Sequence, residues 1–337
     1  MSAKRRIIPV FVPHLGCPND CVFCNQRRIS GAIEPADAET VRNAIEAAGV
    51  SEGDCSEWEL AFYGGSFTAI EECSRCELLK AAESFTKRGG ALRLSTRPDC
   101  ISEKILDELL SAGVKTIELG CQSMDNEVLL KSGRGHTKED TIKAAKLIKS
   151  RGFELILQMM TGLPGDTFEK SLQTAHELAQ LSPNGVRIYP TVIIRDTPLC
   201  DMWQSDKYKE HTIDDAVEWC SEILPVFENA GIPVIRLGLN PTDDLSGGDA
   251  VAGAYHPAFG ELVYSRLFLK KAKGLLNGIQ ESKSVCIGVN PASISKMSGH
   301  KKSNVISLKS EFGIEEIKIQ GVSELSKDEV VLICVEK

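Results

Sequence analysis

The sequence predicts an α/β protein: a full or partial (β/α) barrel carrying a small α+β appendage at its C-terminal end. Three observations predict it. Over the first 240 residues, short β-rich runs alternate with amphipathic helical runs six or seven times, and a repeated βα unit implies a parallel sheet with helices outside. Helical runs stop at Gly113, Gly152 and Gly231, where a left-handed cap is expected. The length of 337 residues exceeds one ordinary compact domain and suits a barrel with an addition.

The strand candidates in order are Ile7–Val12, Glu59–Tyr63, Leu92–Ser95, Thr116–Leu119, Glu154–Met160, Val186–Tyr189 and Val234–Leu237. Between them lie helical patterns over Ala36–Ala48, Glu71–Lys87, Ser102–Ala112, Lys138–Arg151, Phe168–Leu181 and Ile213–Ala230. Ile105, Leu109 and Leu110, then Ile142, Ala145 and Ile148, recur at the three-and-four spacing of a buried helix face. A Gly/Asp-rich hinge, Asp243-Asp-Leu-Ser-Gly-Gly-Asp249, marks a boundary. The chain is thereby divided into a barrel at 1–242, a hinge and helical connector at 243–283, and an appendage at 284–337. In the appendage, Ser284–Val289 reads as a strand, Pro291–Met297 and Ser303–Phe312 as helices, and Ile317–Val322 with Val330–Val335 as strands.

Composition narrows the classes. Hydrophobic residues at 42% and charged residues at 26% describe a soluble globular chain, and no run approaches the roughly 18 apolar residues of a membrane span. The start mimics a signal peptide, but Pro9 and Pro13 interrupt it and no small-residue cleavage site follows. A cytoplasmic protein with no membrane partner is expected, and its twelve cysteines then read as thiols or metal ligands. Net charge is −8, which argues against a nucleic-acid binder taken whole. Between Tyr264 and Ser310, however, nine Lys and Arg face Glu281 alone. That block is either a solvated face or a contact surface for a polyanion.

The sharpest chemical signal is His14-Leu-Gly-Cys17-Pro-Asn-Asp-Cys21-Val-Phe-Cys24, a C-x3-C-x2-C directly after the first strand. Three thiolates within eight residues can wrap one soft metal centre. A structural zinc site wants four ligands, and no fourth stands at zinc-finger spacing. An iron–sulfur cube also takes four thiolates, so three would leave one iron with an open position.

The pattern and its place resemble the radical S-adenosylmethionine (radical SAM) enzymes. The resemblance implies a barrel of the radical SAM type and a 4Fe-4S cluster held by Cys17, Cys21 and Cys24. It also implies S-adenosyl-L-methionine chelating the open iron. One-electron transfer would cleave the sulfonium and release a 5′-deoxyadenosyl radical, so a flavodoxin- or ferredoxin-type electron donor is an implied partner. Phe23 matches the residue near the adenine. Gly64, Gly65 and Ser66, in Tyr63-Gly-Gly-Ser-Phe67, match the motif for the methionyl amino group. Ser66 replaces an acidic residue there, which leaves most of that binding to the backbone.

The blocks Leu94–Asp99, Ile117–Ser123, Gly133–His136, Met160–Thr167 and Ile188–Thr197 follow in order and resemble the radical domain of the Elongator catalytic-subunit family, which modifies wobble uridines of transfer RNA. By that resemblance Gln122 and Gln158 reach the cofactor's ribose or methionyl groups, and Arg134, His136 and Tyr189 are catalytic candidates facing the substrate. A helix-cap neighbour at His136 and a core residue at Tyr189 are the plain alternatives. That family continues into an acetyltransferase-like domain for which 337 residues leave no room, so no acetyl-CoA binding is expected. Oxygen-independent coproporphyrinogen oxidase shares the barrel and a Gly-Leu-Pro-Gly turn, but has a further cysteine where this chain carries Asn25-Gln-Arg. The alternatives are thus radical chemistry on a small molecule such as a tetrapyrrole, or a non-catalytic iron–sulfur or RNA-binding module. Cys73 and Cys76 fall inside an amphipathic helix with no second pair and read as structural, like the remaining scattered cysteines.

The βααββ order of the appendage, with Gly299-His300-Lys301-Lys302 between its helices, resembles a minimal KH fold. There a G-x-x-G loop grips four backbone nucleotides of single-stranded RNA. The implied RNA-binding residues are Gly299, His300, Lys301 and Lys302, with Lys302 departing from the motif's second glycine. The alternative is an appendage covering the barrel's open edge, its lysines merely solvated.

Overall fold

Seven strands form one parallel sheet: β1 (Arg6–Val12), β2 (Trp58–Gly64), β3 (Ala91–Thr96), β4 (Val114–Gln122), β5 (Glu154–Thr161), β6 (Gly185–Pro190) and, after a short excursion, β8 (Val234–Leu237). The computed structural model describes residues 5–12, 17, 21–25, 36–50, 52–241, 245–279 and 282–336. Strand order is β1-β2-β3-β4-β5-β6-β8, with β1 and β8 as unjoined edges, so the barrel is partial rather than closed. Helices cover its outside, and β4 is buried at eight of its nine positions although Thr116, Glu118 and Gln122 are polar.

Four of the helices that flank the sheet start where a short polar side chain satisfies a free backbone N–H. Asp37, Ser102, Thr137 and Thr167 each accept from the amide three residues on, and each such cap contributes about 1 kcal/mol. Leu106 and Leu109 of helix Glu103–Ser111 and Val41 and Ile45 of helix Ala38–Ala47 then reach the main core. The single helix expected over Glu71–Lys87 is two, Glu72–Ala81 and Glu83–Lys87. The amide of Ala82 turns to the carbonyl of Leu79, a tighter turn beyond which Phe85 is fully buried.

Past β6 the chain makes an antiparallel pair, β7 (Val192–Ile194) with β9 (Ala250–Gly253). Of the hinge, residues 243 and 244 lie outside the described residues. Leu245–Asp249 forms a turn tied back by a bond from the Arg195 amide to the Asp249 carbonyl.

Helix Phe259–Leu276 joins two cores. Phe259, Val263 and Leu267 pack in the main one, Phe268, Ala272 and Leu276 in a second. The second belongs to a three-stranded sheet in which β10 (Ser284–Val289) lies between β11 (Glu316–Gly321), parallel, and β12 (Val330–Glu336), antiparallel. Met297 and Leu308, from helices Ile294–Ser298 and Ser303–Phe312, close that core.

Four of the nine basic residues of the block pair with acids. Arg266 and Lys270 pair with Glu218, Lys270 also with Glu222, Lys273 with Glu311 at 2.6 Å and Lys271 with Asp328 at 3.8 Å. Lys301 and Lys302 are exposed and make no ion pair among the described residues. No helix among the described residues is long and apolar enough to cross a membrane.

Candidate active site

A cleft opens at the C-terminal ends of β2 to β5, where loops rather than helices cover the sheet and where parallel α/β sheets carry their sites. On one side stands the described part of the cysteine loop. The Val22 amide bonds to the Ser132 carbonyl at 3.1 Å, the Leu199 amide to the Val22 carbonyl at 2.8 Å, and the Cys24 amide to the Cys21 carbonyl at 3.0 Å. These ties hold Phe23 against a small apolar cluster with Leu199 and Tyr208, and Cys17, Cys21, Phe23 and Cys24 all line the cleft.

Gly64, Gly65 and Ser66 line it from the end of β2. Gly64 holds φ of +105° with its missing Cβ 3.2 Å from the Val12 carbonyl oxygen, and Gly65 donates to that oxygen at 2.8 Å; a side chain at Gly64 would be both strained and crowded. The Ser66 hydroxyl bonds Thr96 at 2.9 Å and accepts from the Arg97 amide at 3.2 Å. Its own amide faces the Cys17 sulfur.

Gly120, Gln122, Arg134 and Gln158 complete the lining with Arg97. The Arg134 guanidinium donates to the Cys21 sulfur at 3.2 Å and to the Gly120 carbonyl at 2.6 Å. Arg97, paired with Asp99 at 3.0 Å, donates to the Arg134 carbonyl. Burial raises the Cys17 thiol, while the Ser66 amide and the charges of Arg97 and Arg134 pull it back down. Gln122 sits at φ of +66°, a conformation that costs a non-glycine residue about 1–2 kcal/mol. The buried Gln122 Oε1 and Arg134 Nε have no partner among the described residues.

The other two catalytic candidates sit elsewhere. His136 is buried behind the cleft with Nε2 3.2 Å from the Cys121 carbonyl. Burial and the charges of Arg134 and Arg97 push its pKa down to about 4, so the ring is neutral at pH 7. Tyr189 lies deeper in the half-barrel, its hydroxyl within 3.5 Å of Arg187. Neither lines the cleft. Arg97, which does, carried a sequence signal in the Leu94–Asp99 block but no assigned role. The Gln158 amide nitrogen, for its part, donates to Glu118 at 2.8 Å.

The Radical SAM superfamily model matches residues 11–178, and the Radical_SAM C-terminal domain model residues 183–268. The chain belongs to the radical SAM superfamily. It is 35% identical over 166 residues to the tRNA uridine(34) acetyltransferase of Methanocaldococcus jannaschii, 48% of this chain and 31% of that protein. It is 33% identical over 152 residues to mouse Elongator complex protein 3, 44% of this chain and 28% of that one. The matched region therefore spans about a third of these curated relatives. The solved structure of Methanocaldococcus infernus Elp3 with an N-terminal deletion superposes with a TM-score of 0.60 at 26% identity, over 84% of this chain and 67% of that one.

Radical SAM enzymes use a 4Fe-4S cluster and S-adenosylmethionine. The kinds of donor lining the cleft suit both: three thiols beside two guanidinium groups, and an amide oxygen and guanidinium N–H without a partner among the described residues that suit a zwitterionic ligand; the three thiols share the cleft but do not stand together at metal-ligating distance. When bound, the cluster supplies the electron that splits the sulfonium. Arg134 and Arg97 would offset the charge of cluster-bound thiolates in this partly buried cleft, and the Gly64–Ser66 backbone would leave room for close approach.

Proposed function

We propose that this radical SAM enzyme acts on RNA, with a transfer RNA bearing a wobble-uridine-like target as substrate. The observation that supports it is the conjunction of a cleft holding Cys17, Cys21, Cys24, Gly64, Gly65, Ser66, Gln122 and Arg134 with sequence similarity to transfer-RNA uridine(34) acetyltransferases in that same region. In this proposal the three cysteines hold the cluster, and Phe23, the Gly-Gly-Ser backbone, Gln122 and Gln158 hold S-adenosylmethionine. Arg134 faces both cofactor and substrate. A flavodoxin- or ferredoxin-type protein delivers the electron, the enzyme works in the cytoplasm, and acetyl-CoA is not bound. The chain divides into a radical barrel at 1–242, a connector at 243–283 and an RNA-gripping unit at 284–337.

The grip has a backbone basis. Gly299 takes φ of +73° and Lys302 φ of +63°, so Lys302 keeps the left-handed shape that the motif's second glycine would take. Helix Ser303–Phe312 starts immediately after. The Ser303 amide is already bonded to the His300 carbonyl, so the charge of exposed Lys301 and Lys302 beside the positive end of the helix is what suits a phosphate.

The test is anaerobic reconstitution followed by reductive turnover with and without bulk transfer RNA. The expected result is formation of 5′-deoxyadenosine, stimulated by RNA and depressed by Gly65→Val with the cluster retained. Charge reversal at Lys301 and Lys302 should weaken RNA binding and flatten its salt dependence. Stimulation by a tetrapyrrole and not by RNA, or cluster and RNA binding with no 5′-deoxyadenosine, would overturn the proposal. So would saturable acetyl-CoA binding for the donor part of it.

A further inference from the structure

The C-terminal sheet holds a cysteine pair that the cleft chemistry does not use. Cys286 of the central strand β10 stands directly opposite Cys334 of the edge strand β12 in antiparallel register. Directly opposed residues in such a ladder have Cα atoms about 4.5–5.5 Å apart and side chains on the same face. A disulfide needs Cα atoms about 4.4–6.8 Å apart. The neighbours Val285 and Ile287 point into the second core, so alternation along β10 puts the Cys286 side chain on the sheet's other face, away from the helices. There its thiol contacts the Gln320 side chain at 3.6 Å and interacts with the Cys334 sulfur, which together with burial raises the Cys286 thiol. A register shift follows Cys286 at once, and such an irregularity re-aims side chains locally.

We propose that Cys286 and Cys334 are a reversible cross-strand thiol–disulfide site. The difference in access sets the order of events. Cys286 is 8% exposed, and Cys334 is exposed on the edge strand. With a small disulfide such as oxidised glutathione as the oxidant, the Cys334 thiolate attacks one glutathione sulfur. The other glutathione leaves as a thiolate and takes up a proton. The Cys286 sulfur then attacks the mixed disulfide at Cys334, forms the S–S bond across the ladder and expels the second glutathione. Two protein thiols are oxidised to one disulfide and one glutathione disulfide is reduced to two thiols. The exposed position marks this bond as one that reducing thiols reopen.

The experiment uses the cluster-loaded protein under anaerobic conditions, equilibrated across a series of reduced and oxidised glutathione, alkylated and digested with trypsin. Peptides 284–296 and 328–337 carry the two cysteines. The expected result is a linked pair of these peptides in the monomeric fraction, rising with the oxidised share and lost on adding dithiothreitol. Cys286→Ala should leave a stable glutathione adduct on Cys334. Cys334→Ala, at an exposed site, should leave Cys286 open to alkylation throughout. If Cys286 in the parent protein is alkylated across the whole series, the proposal is wrong whatever happens at Cys334. A link found only between two molecules overturns it as well.

Discussion

Two groups of buried charge lie in the same half-barrel and are built on opposite terms. In its interior, Glu118 is fully buried between Arg93 and Arg187, each at 2.8 Å, and Arg93 also pairs with Glu59 at 2.8 Å. Tyr63, Gln158 and Thr116 donate into the remaining oxygen positions. Burial alone would raise the Glu118 carboxyl, yet the Arg187 and Arg93 guanidiniums hold it below the usual carboxylate range. Two carboxylates meet two guanidiniums and the charges balance, although Arg187 Nε, 2.8 Å from Glu118, makes no well-formed hydrogen bond among the described residues. At the cleft, Asp99 answers Arg97, but Arg134 has a thiol and a carbonyl for partners and no carboxylate among the described residues. Gln122 Oε1 and Arg134 Nε have no partner among those residues either. The difference that remains is one of charge: the interior guanidiniums each have a carboxylate, and Arg134 has none among the described residues.

That contrast can be broken by experiment. The largest effect is expected at the thiols. Cys17→Ala should remove bound iron and drop cleavage of S-adenosylmethionine to background, with little change in the urea midpoint. Full iron retention in that variant would remove the cleft from the comparison. Next comes Glu118→Ala, which leaves buried Arg187 without a carboxylate and Arg93 with Glu59 alone, and should cost about 3–5 kcal/mol in urea unfolding. Glu118→Gln, which keeps the volume and one acceptor, should cost less.

A smaller effect is read in acid. His136 and His211 are both held near pKa 4 by burial, below the roughly 6.5 of the unfolded chain. The unfolded state therefore takes up protons first as pH falls. Stability should decline from pH 6.5 and level off near pH 4, by up to about 3 kcal/mol per histidine. His211→Asn or His136→Asn should flatten its share of that limb in chemical melts taken at successive pH values. The smallest effect sharpens the contrast most. Arg134→Gln should slow cofactor cleavage about tenfold, equivalent to ~1.4 kcal/mol, while moving stability by less than about 1 kcal/mol. Full activity with a large loss of stability would make Arg134 part of the architecture instead.

The βα alternation was legible because helix and strand periods differ, and β10 with helix Ser303–Phe312 emerges at the expected residues. The interior network was harder to see. Its members Glu59, Arg93, Glu118 and Arg187 lie within apolar strand runs, and a charge inside a buried parallel strand signals that a partner must exist. It does not say which strand supplies that partner. The same holds for the basic block: Lys270 and Arg266 look unopposed locally, and the acid that meets them, Glu218, lies 48 residues before Arg266. Helix Phe259–Leu276 escaped detail because it buries residues in two cores, which blurs a single apolar stripe. Strand β7 is three residues long, too short for alternation to register. At the site, spacing brought out the cysteines and the glycines, whereas the role of Arg97 depends on a contact across the cleft with Arg134.

The left-handed backbone at Gln122 sets a limit on how this protein can be improved. Gln122→Gly would relax that backbone and is expected to stabilise the fold by about 1 kcal/mol. It would also delete the amide whose oxygen is unpartnered in the cleft. Selection for heat resistance alone would therefore drift toward a sturdier chain with a poorer site. On the role proposed for Gln122, retaining glutamine here keeps part of the molecule's thermal margin in reserve for a ligand.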